Sequence, residues 1–174
     1  PHGLMDVMGL RSTEIDGLYD GEYNRGVPVR GNELCLTKTY TCNHLCELVK
    51  TSTAQPLMTY ETDFYAGMPA LTVNLFGKAY HVCADFEQGF YDEVYRKIAK
   101  EAGVKRVVAH IPEGVEVSVR RNQDTDYVFV QNFNRQPVEV KLPVEQYPVW
   151  LGKYDGTIDR FGTVVLKGKA GEKE

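Results

Sequence analysis

No stretch of the sequence approaches the ~18 consecutive apolar residues that a membrane-spanning helix requires, so no membrane is expected as a partner. Positive charge is not in excess either: 20 Lys and Arg stand against 24 Asp and Glu, a net charge of −4. Phosphate contacts need concentrated positive charge, and no nucleic acid is expected as a partner. Cysteine is scarce. Four thiols, Cys35, Cys42, Cys46 and Cys83, are too few to staple 174 residues together and read as reduced thiols of a cytoplasmic protein. The absence of any Asn-x-Ser/Thr sequon points to the same compartment. Pro1-His2-Gly3-Leu4 carries no initiator Met and no basic or apolar leader region, so the chain is expected to begin inside a longer protein.

Signatures of local chemistry are missing as well. No Ser lies in a G-x-S-x-G elbow, and neither a G-x-G-x-x-G nor a Walker loop occurs. Gly77-Lys78 alone is too short to cradle phosphates, and no cofactor is expected. Nor is there an internal repeat with a period of roughly 20 to 50 residues.

What is present is a globular composition, 43% hydrophobic and 25% charged, in 174 residues, enough for one ordinary domain or two small ones. Two regions differ in character, with the boundary at Gly103 to Arg106. The first mixes short apolar runs with one helix. Phe86, Phe90, Tyr91, Val94, Tyr95, Ile98 and Ala102 build a single stripe on a 3.6-residue period. Asp85 is placed to cap the start, with Gln88 three residues on, and Gly103 to end the helix in the left-handed conformation. The runs Pro56 to Tyr60, Ala70 to Phe76 and Ala79 to Cys83 read as strands under that helix, in an α/β layer. Residues 1–55 show only fragments of strand and helix alternation, so that layer is expected to be incomplete.

From Gly114 the period becomes two, with Val115, Val117 and Val119 on one side and Glu116, Ser118 and Arg120 on the other. The polar run Arg121 to Asp126 turns the chain into Tyr127 to Asn132. Val138, Val140 and Leu142 alternate with Glu139 and Lys141. Further strands around Tyr147 to Leu151, Thr157 to Arg160 and Thr163 to Leu166 complete the pattern of a small antiparallel sandwich or barrel. The tail Lys167 to Glu174, rich in Gly, Lys and Glu, is expected to fray.

Several groups could carry chemistry. If residues 42–46 are extended, Cys42, His44 and Cys46 share one face, and thiolates with imidazole are the ligands zinc prefers. Buried cysteines more often pack as small hydrophobes, and the spacing is unlike a C-x2-C pair. His81 and Cys83 share a strand face and could form a thiolate–imidazolium pair, although no cysteine-hydrolase signature surrounds them. Of the four histidines the others are His2 and His110. The acidic pairs Glu14 with Asp16, Asp124 with Asp126, and Asp155 with Asp159 could run acid–base chemistry across a cleft; their hydrophilic surroundings favour solvated surface. Eleven tyrosines and Trp150 could stack on sugar rings as a non-catalytic carbohydrate-binding module, while the strand alternation places Tyr127, Phe129 and Trp150 in the core of the second region.

Longer motifs carry a resemblance. Asp63-Phe64-Tyr65-Ala66-Gly67-Met68-Pro69-Ala70-Leu71-Thr72, followed by Asn74-Leu75-Phe76-Gly77-Lys78-Ala79-Tyr80-His81-Val82, resembles the trimerisation domain of glycoside hydrolase family 42 β-galactosidases. Met8-Gly9-Leu10-Arg11 with Glu14-Ile15-Asp16 is similar to the family's Leu-Gly-Ile-Arg stretch. Ala102-Gly103-Val104, Gly114-Val115-Glu116-Val117 and Tyr127-Val128-Phe129-Val130-Gln131-Asn132 resemble its passage into a C-terminal β domain. Where family members often read Gly-Lys-Gly, Ala79 here follows Lys78 directly, which shortens the turn. The resemblance implies two regions: 1–105, the C-terminal half of a flavodoxin-like α/β trimerisation domain, and 106–174, an all-β C-terminal domain. It also implies a trimeric homo-oligomer, an N-terminal (β/α)8 barrel holding two catalytic glutamates, and retaining hydrolysis of terminal β-D-galactosides. No catalytic, cofactor-binding or metal-binding residue of the family transfers to any position here. Half an α/β layer would leave sheet edges uncovered, so completion by the missing N-terminal part or by a symmetry mate is expected.

Overall fold

The computed structural model describes residues 3–170, which leaves His2 and the last four residues of the tail outside the described residues. The chain divides into two compact units, 1–104 and 105–174.

The first unit holds a short helix α1 (Met5–Met8) and strands β1 (Leu10–Gly17), β2 (Asn24–Pro28), β3 (Tyr40–Thr51), β4 (Gln55–Tyr60), β5 (Pro69–Asn74), β6 (Ala79–Val82) and β7 (Ala84–Phe86), followed by α2 (Gln88–Glu101). The strand order is β1-β3-β2-β4-β5-β6, with β7 also on β3, and every pairing is antiparallel. The α/β layer expected from the sequence is therefore, in these residues, mostly antiparallel sheet with one long helix. Cys83 alone separates β6 from β7. Its N–H donates to the Ala70 carbonyl of β5, and its carbonyl accepts from the Glu47 N–H of β3. The ladder that leaves β3 through β2, β4, β5 and β6 thus returns to β3, while β1 is paired along one edge only.

This closure encloses a core of Cys42, Cys46, Met58, Tyr60, Leu71, Val73 and Cys83. The Tyr60 hydroxyl donates to the Cys83 carbonyl at 2.7 Å, which satisfies both groups in the interior. The shortened Gly77-Lys78 turn, both residues left-handed, closes an unbroken register from Leu71↔Val82 to Asn74↔Ala79. Leu75 and Phe76, expected in the strand, sit exposed in that turn.

Helix α2 packs through Phe90, which stacks on Phe86 at 4.1 Å and meets Tyr40 edge-on at 5.6 Å. Burying Phe90 and Val94 stabilises the unit by about 1.5–3 kcal/mol each. The apolar stripe is narrower than the sequence suggests, for Tyr95 is 62% exposed. Asp85 does not cap the helix, because it lies in β7. Glu87 is the N-cap, and its carboxylate accepts from the Thr41 N–H at 3.1 Å. At the other end Gly103 is left-handed, as expected. Its N–H reaches the Lys100 carbonyl and that of Val104 the Ala99 carbonyl, the paired bonds of a Schellman motif.

The second unit contains β8 (Val115–Asn122), β9 (Thr125–Asn132), β10 (Val138–Glu139), β11 (Val149–Leu151), β12 (Thr157–Ile158) and β13 (Thr163–Lys169). A four-stranded antiparallel sheet, β11-β13-β9-β8, accompanies a two-stranded sheet, β10-β12. Val128, Val130, Val164 and Leu166 of the larger sheet share a core with Ile158, Val140 and Leu142. The expected turn at Arg121 to Asp126 shrinks to Gln123-Asp124, because Asn122 still pairs with Thr125. Lys167 to Lys169, expected to fray, complete β13. Asn132 ties the unit's loops. Its side-chain nitrogen lies 2.9, 3.1 and 3.0 Å from the carbonyls of Gln136, Ile158 and Asp159.

Candidate functional site

Strand β3 does not present Cys42, His44 and Cys46 on one face. Its pairing with β7 shifts register between Asn43 and Cys46, and His44 is left-handed at φ 60°. Both cysteines point inward, fully buried with sulfurs 4.0 Å apart, and the bulge turns only the imidazole outward, where Nδ1 meets Asp85 Oδ2 at 2.8 Å. The two thiols share one hydrogen bond, which first and foremost raises Cys42 and lowers Cys46, while burial raises both. Cys35 is exposed. Among the described residues no group of three or more His, Cys, Asp or Glu is placed to hold a metal ion.

The His81–Cys83 pair does not form either. His81 Nε2 meets Glu47 Oε2 at 2.7 Å, and burial, then the Glu47 charge, push the Cys83 thiol up. The backbone of Cys83 closes the sheet, and its thiol is buried inside that closure. His110, with Ala109, Lys141 and Leu142, edges a shallow apolar cavity of the second unit.

The acidic pairs resolve into separate duties. Asp126, expected at the surface, is 3% exposed and takes a bidentate pair with Arg121 at 2.7 and 2.9 Å. Asp155 accepts from the Thr157 hydroxyl and N–H, bonds that hold its carboxyl below the ordinary value. Asp16 lies at the end of β1 and lines a cleft of about 440 Å³ with Tyr19, Tyr23, Asp63, Phe64 and Tyr65. Tyr19, Tyr23 and Phe64 are exposed, and Tyr65 is buried. No motif in the sequence marks this aromatic cleft; its one local signal is the cluster Tyr19-Asp20-Gly21-Glu22-Tyr23 between two strands.

Trp150 also departs from expectation. It is 57% exposed on the outer face of the four-stranded sheet, its ring 5.4 Å from that of Tyr127, instead of filling the core. Strand β11 is too short for alternation to assign its faces.

None of these groups assembles a paired-carboxyl or nucleophile–base constellation, so identity rests on likeness. A family model described as the beta-galactosidase trimerisation domain matches residues 1–105, and one described as the beta-galactosidase C-terminal domain matches residues 114–168. The beta-galactosidase BglY of Alicyclobacillus acidocaldarius is 38% identical across 98% of this chain and 26% of its own length. The beta-galactosidase BgaP of Planococcus sp. is 37% identical, over 97% of this chain and 24% of its own. The cold-adapted beta-galactosidase of Rahnella sp. R3 superposes with a TM-score of 0.79 at 36% identity, over 95% of this chain and 25% of that one. That of Bacillus circulans sp. alkalophilus gives 0.81 at 31%, over the same shares. The chain thus spans about a quarter of the length of the relatives it matches, and it belongs to the glycoside hydrolase family 42 β-galactosidases, as their trimerisation and C-terminal regions.

Proposed function

We propose that the chain is the assembly and support end of a β-galactosidase and carries no catalytic residue itself. One observation carries the reading: the trimerisation and C-terminal models match in chain order and fill the chain, while relatives named as beta-galactosidases are about four times longer. The parent enzyme hydrolyses terminal β-D-galactosides with retention through two glutamates on a barrel outside this sequence. Residues 1–105 are the later half of a flavodoxin-like domain whose parallel strands belong to that other part, and they join a cytoplasmic trimer by closed three-fold symmetry. The singly paired edge of β1 and the exposed Ile15 and Leu45 near it support this role.

The test is a comparison. The 174-residue chain should leave a chromogenic β-galactoside intact yet associate in sedimentation equilibrium, and the full-length protein should lose both trimer and activity when this region is removed. Hydrolysis by the chain alone, or an active trimer lacking it, refutes the reading.

A further inference from the structure

The outer face of the four-stranded sheet carries an ordered row of cations and rings. Arg120 of β8 stands opposite Tyr127 of β9, which stands opposite Lys167 of β13. Residues directly opposite in antiparallel strands project to the same face, and the core-facing neighbours Val128, Val130 and Leu166 confirm which face this is. Trp150 of β11 extends the row across the fourth strand. Its ring meets Tyr127 at 5.4 Å and 70°, and the Lys167 ammonium lies 5.5 Å from the Tyr127 centroid and 5.9 Å from that of Trp150. Across four strands the row is about 14 Å long, from a strand spacing of about 4.8 Å.

Charge on this face is lopsided. Lys169, opposite Thr125, adds a third exposed cation at the same end, while the acid Glu116 sits at the far end of β8 opposite Gln131. Among the described residues Arg120, Lys167 and Lys169 form no ion pair with a carboxylate. An exposed indole held edge-on to a tyrosine offers a flat face to the C–H side of a pyranose ring. The cations beside it offer charge-assisted hydrogen bonds to an anion.

We infer that this row is a binding site for an oligosaccharide bearing carboxylates, a chain of hexuronate units that stacks on Trp150 and sets its carboxylates against Lys167 and Arg120. A neutral glycan uses the rings and leaves the cations unanswered. A single-stranded nucleic acid would use both, but it stacks successive bases on several aromatic platforms, and this row offers one exposed indole. The site stands apart from the assembly role and fails or survives independently of it.

The experiment is calorimetric titration of the whole chain at low salt with oligogalacturonate, a neutral galacto-oligosaccharide of equal length, and oligothymidylate. The uronate should bind at least ~10-fold tighter than the other two, and Trp150→Ala should weaken it ~10-fold, the loss of one stacking contact. Lys167→Gln should weaken it several-fold and flatten the salt dependence, with far- and near-ultraviolet circular dichroism unchanged. Absence of uronate binding, equal binding of the neutral sugar, tighter binding of oligothymidylate, or variants that bind like the wild type each overturns the assignment.

Discussion

Glu93 is a carboxylate inside the first core, held from two sides. The Tyr40 hydroxyl donates to Oε2, and Lys97 Nζ lies 3.4 Å from Oε1. The Tyr40 bond is the main cause that keeps the Glu93 carboxyl below its ordinary value, and burial, then that same bond, push Tyr40 up to about 12. The signs follow. A depressed carboxyl contributes stability that is complete above its unfolded value and drains away as pH falls through its folded value; a raised phenol contributes until pH rises through about 12. Tyr40→Phe should cost about 1–3 kcal/mol at neutral pH, the penalty of a buried acceptor left short of a donor. Urea midpoints recorded across pH should show the mutant losing both the acid-side and alkaline-side drops that Tyr40 and Glu93 give the wild type. A mutant curve parallel to the wild type at every pH would show that the pair is not coupled.

Among the elements, helix α2 was the most legible in the sequence, because Phe90 and Val94 recur at the helical period and Gly103 stops it. Its Schellman ending demands a left-handed residue, which a side chain adopts at a cost. Gly103→Ala should therefore lower stability by about 1 kcal/mol, read from the chemical denaturation midpoint; an unchanged midpoint would mean the helix end frays without cost. Strands β4, β5 and β6 were legible from the Gly, Pro and Asp between them. Strands β1, β2 and β3 were not, for identifiable reasons. Along β3 the buried Tyr40, Cys42, Cys46 and Leu48 keep one alternation, but the bulge at His44 interrupts it and Val49 is buried out of phase. Strand β2, Asn-Arg-Gly-Val-Pro, hides Gly26 against the Phe86 ring and shows no apolar period at all. The candidate sites suffered from the same blindness. The zinc-like trio dissolved at that bulge, and Asp126 was read as surface because only the tight Gln123-Asp124 turn, shorter than the expected one, sets Arg121 opposite it.

At the scale of the molecule, each unit encloses its own apolar core. The family likeness was legible because long motifs such as Asp63 to Thr72 keep their order. The antiparallel character of the first unit was not, because strand direction depends on partners far apart in sequence, such as Leu10 with Thr51. The closure at Cys83 has a kinetic consequence. A strand hydrogen-bonded on both flanks can lose its amide protons only when a larger part of the unit opens, whereas a strand held on one flank can peel away alone. Transferred into deuterated water, the chain should exchange the β1 amides soonest among these strands, those of β4 and β5 far later, and addition of the rest of the enzyme should slow β1 more than any other.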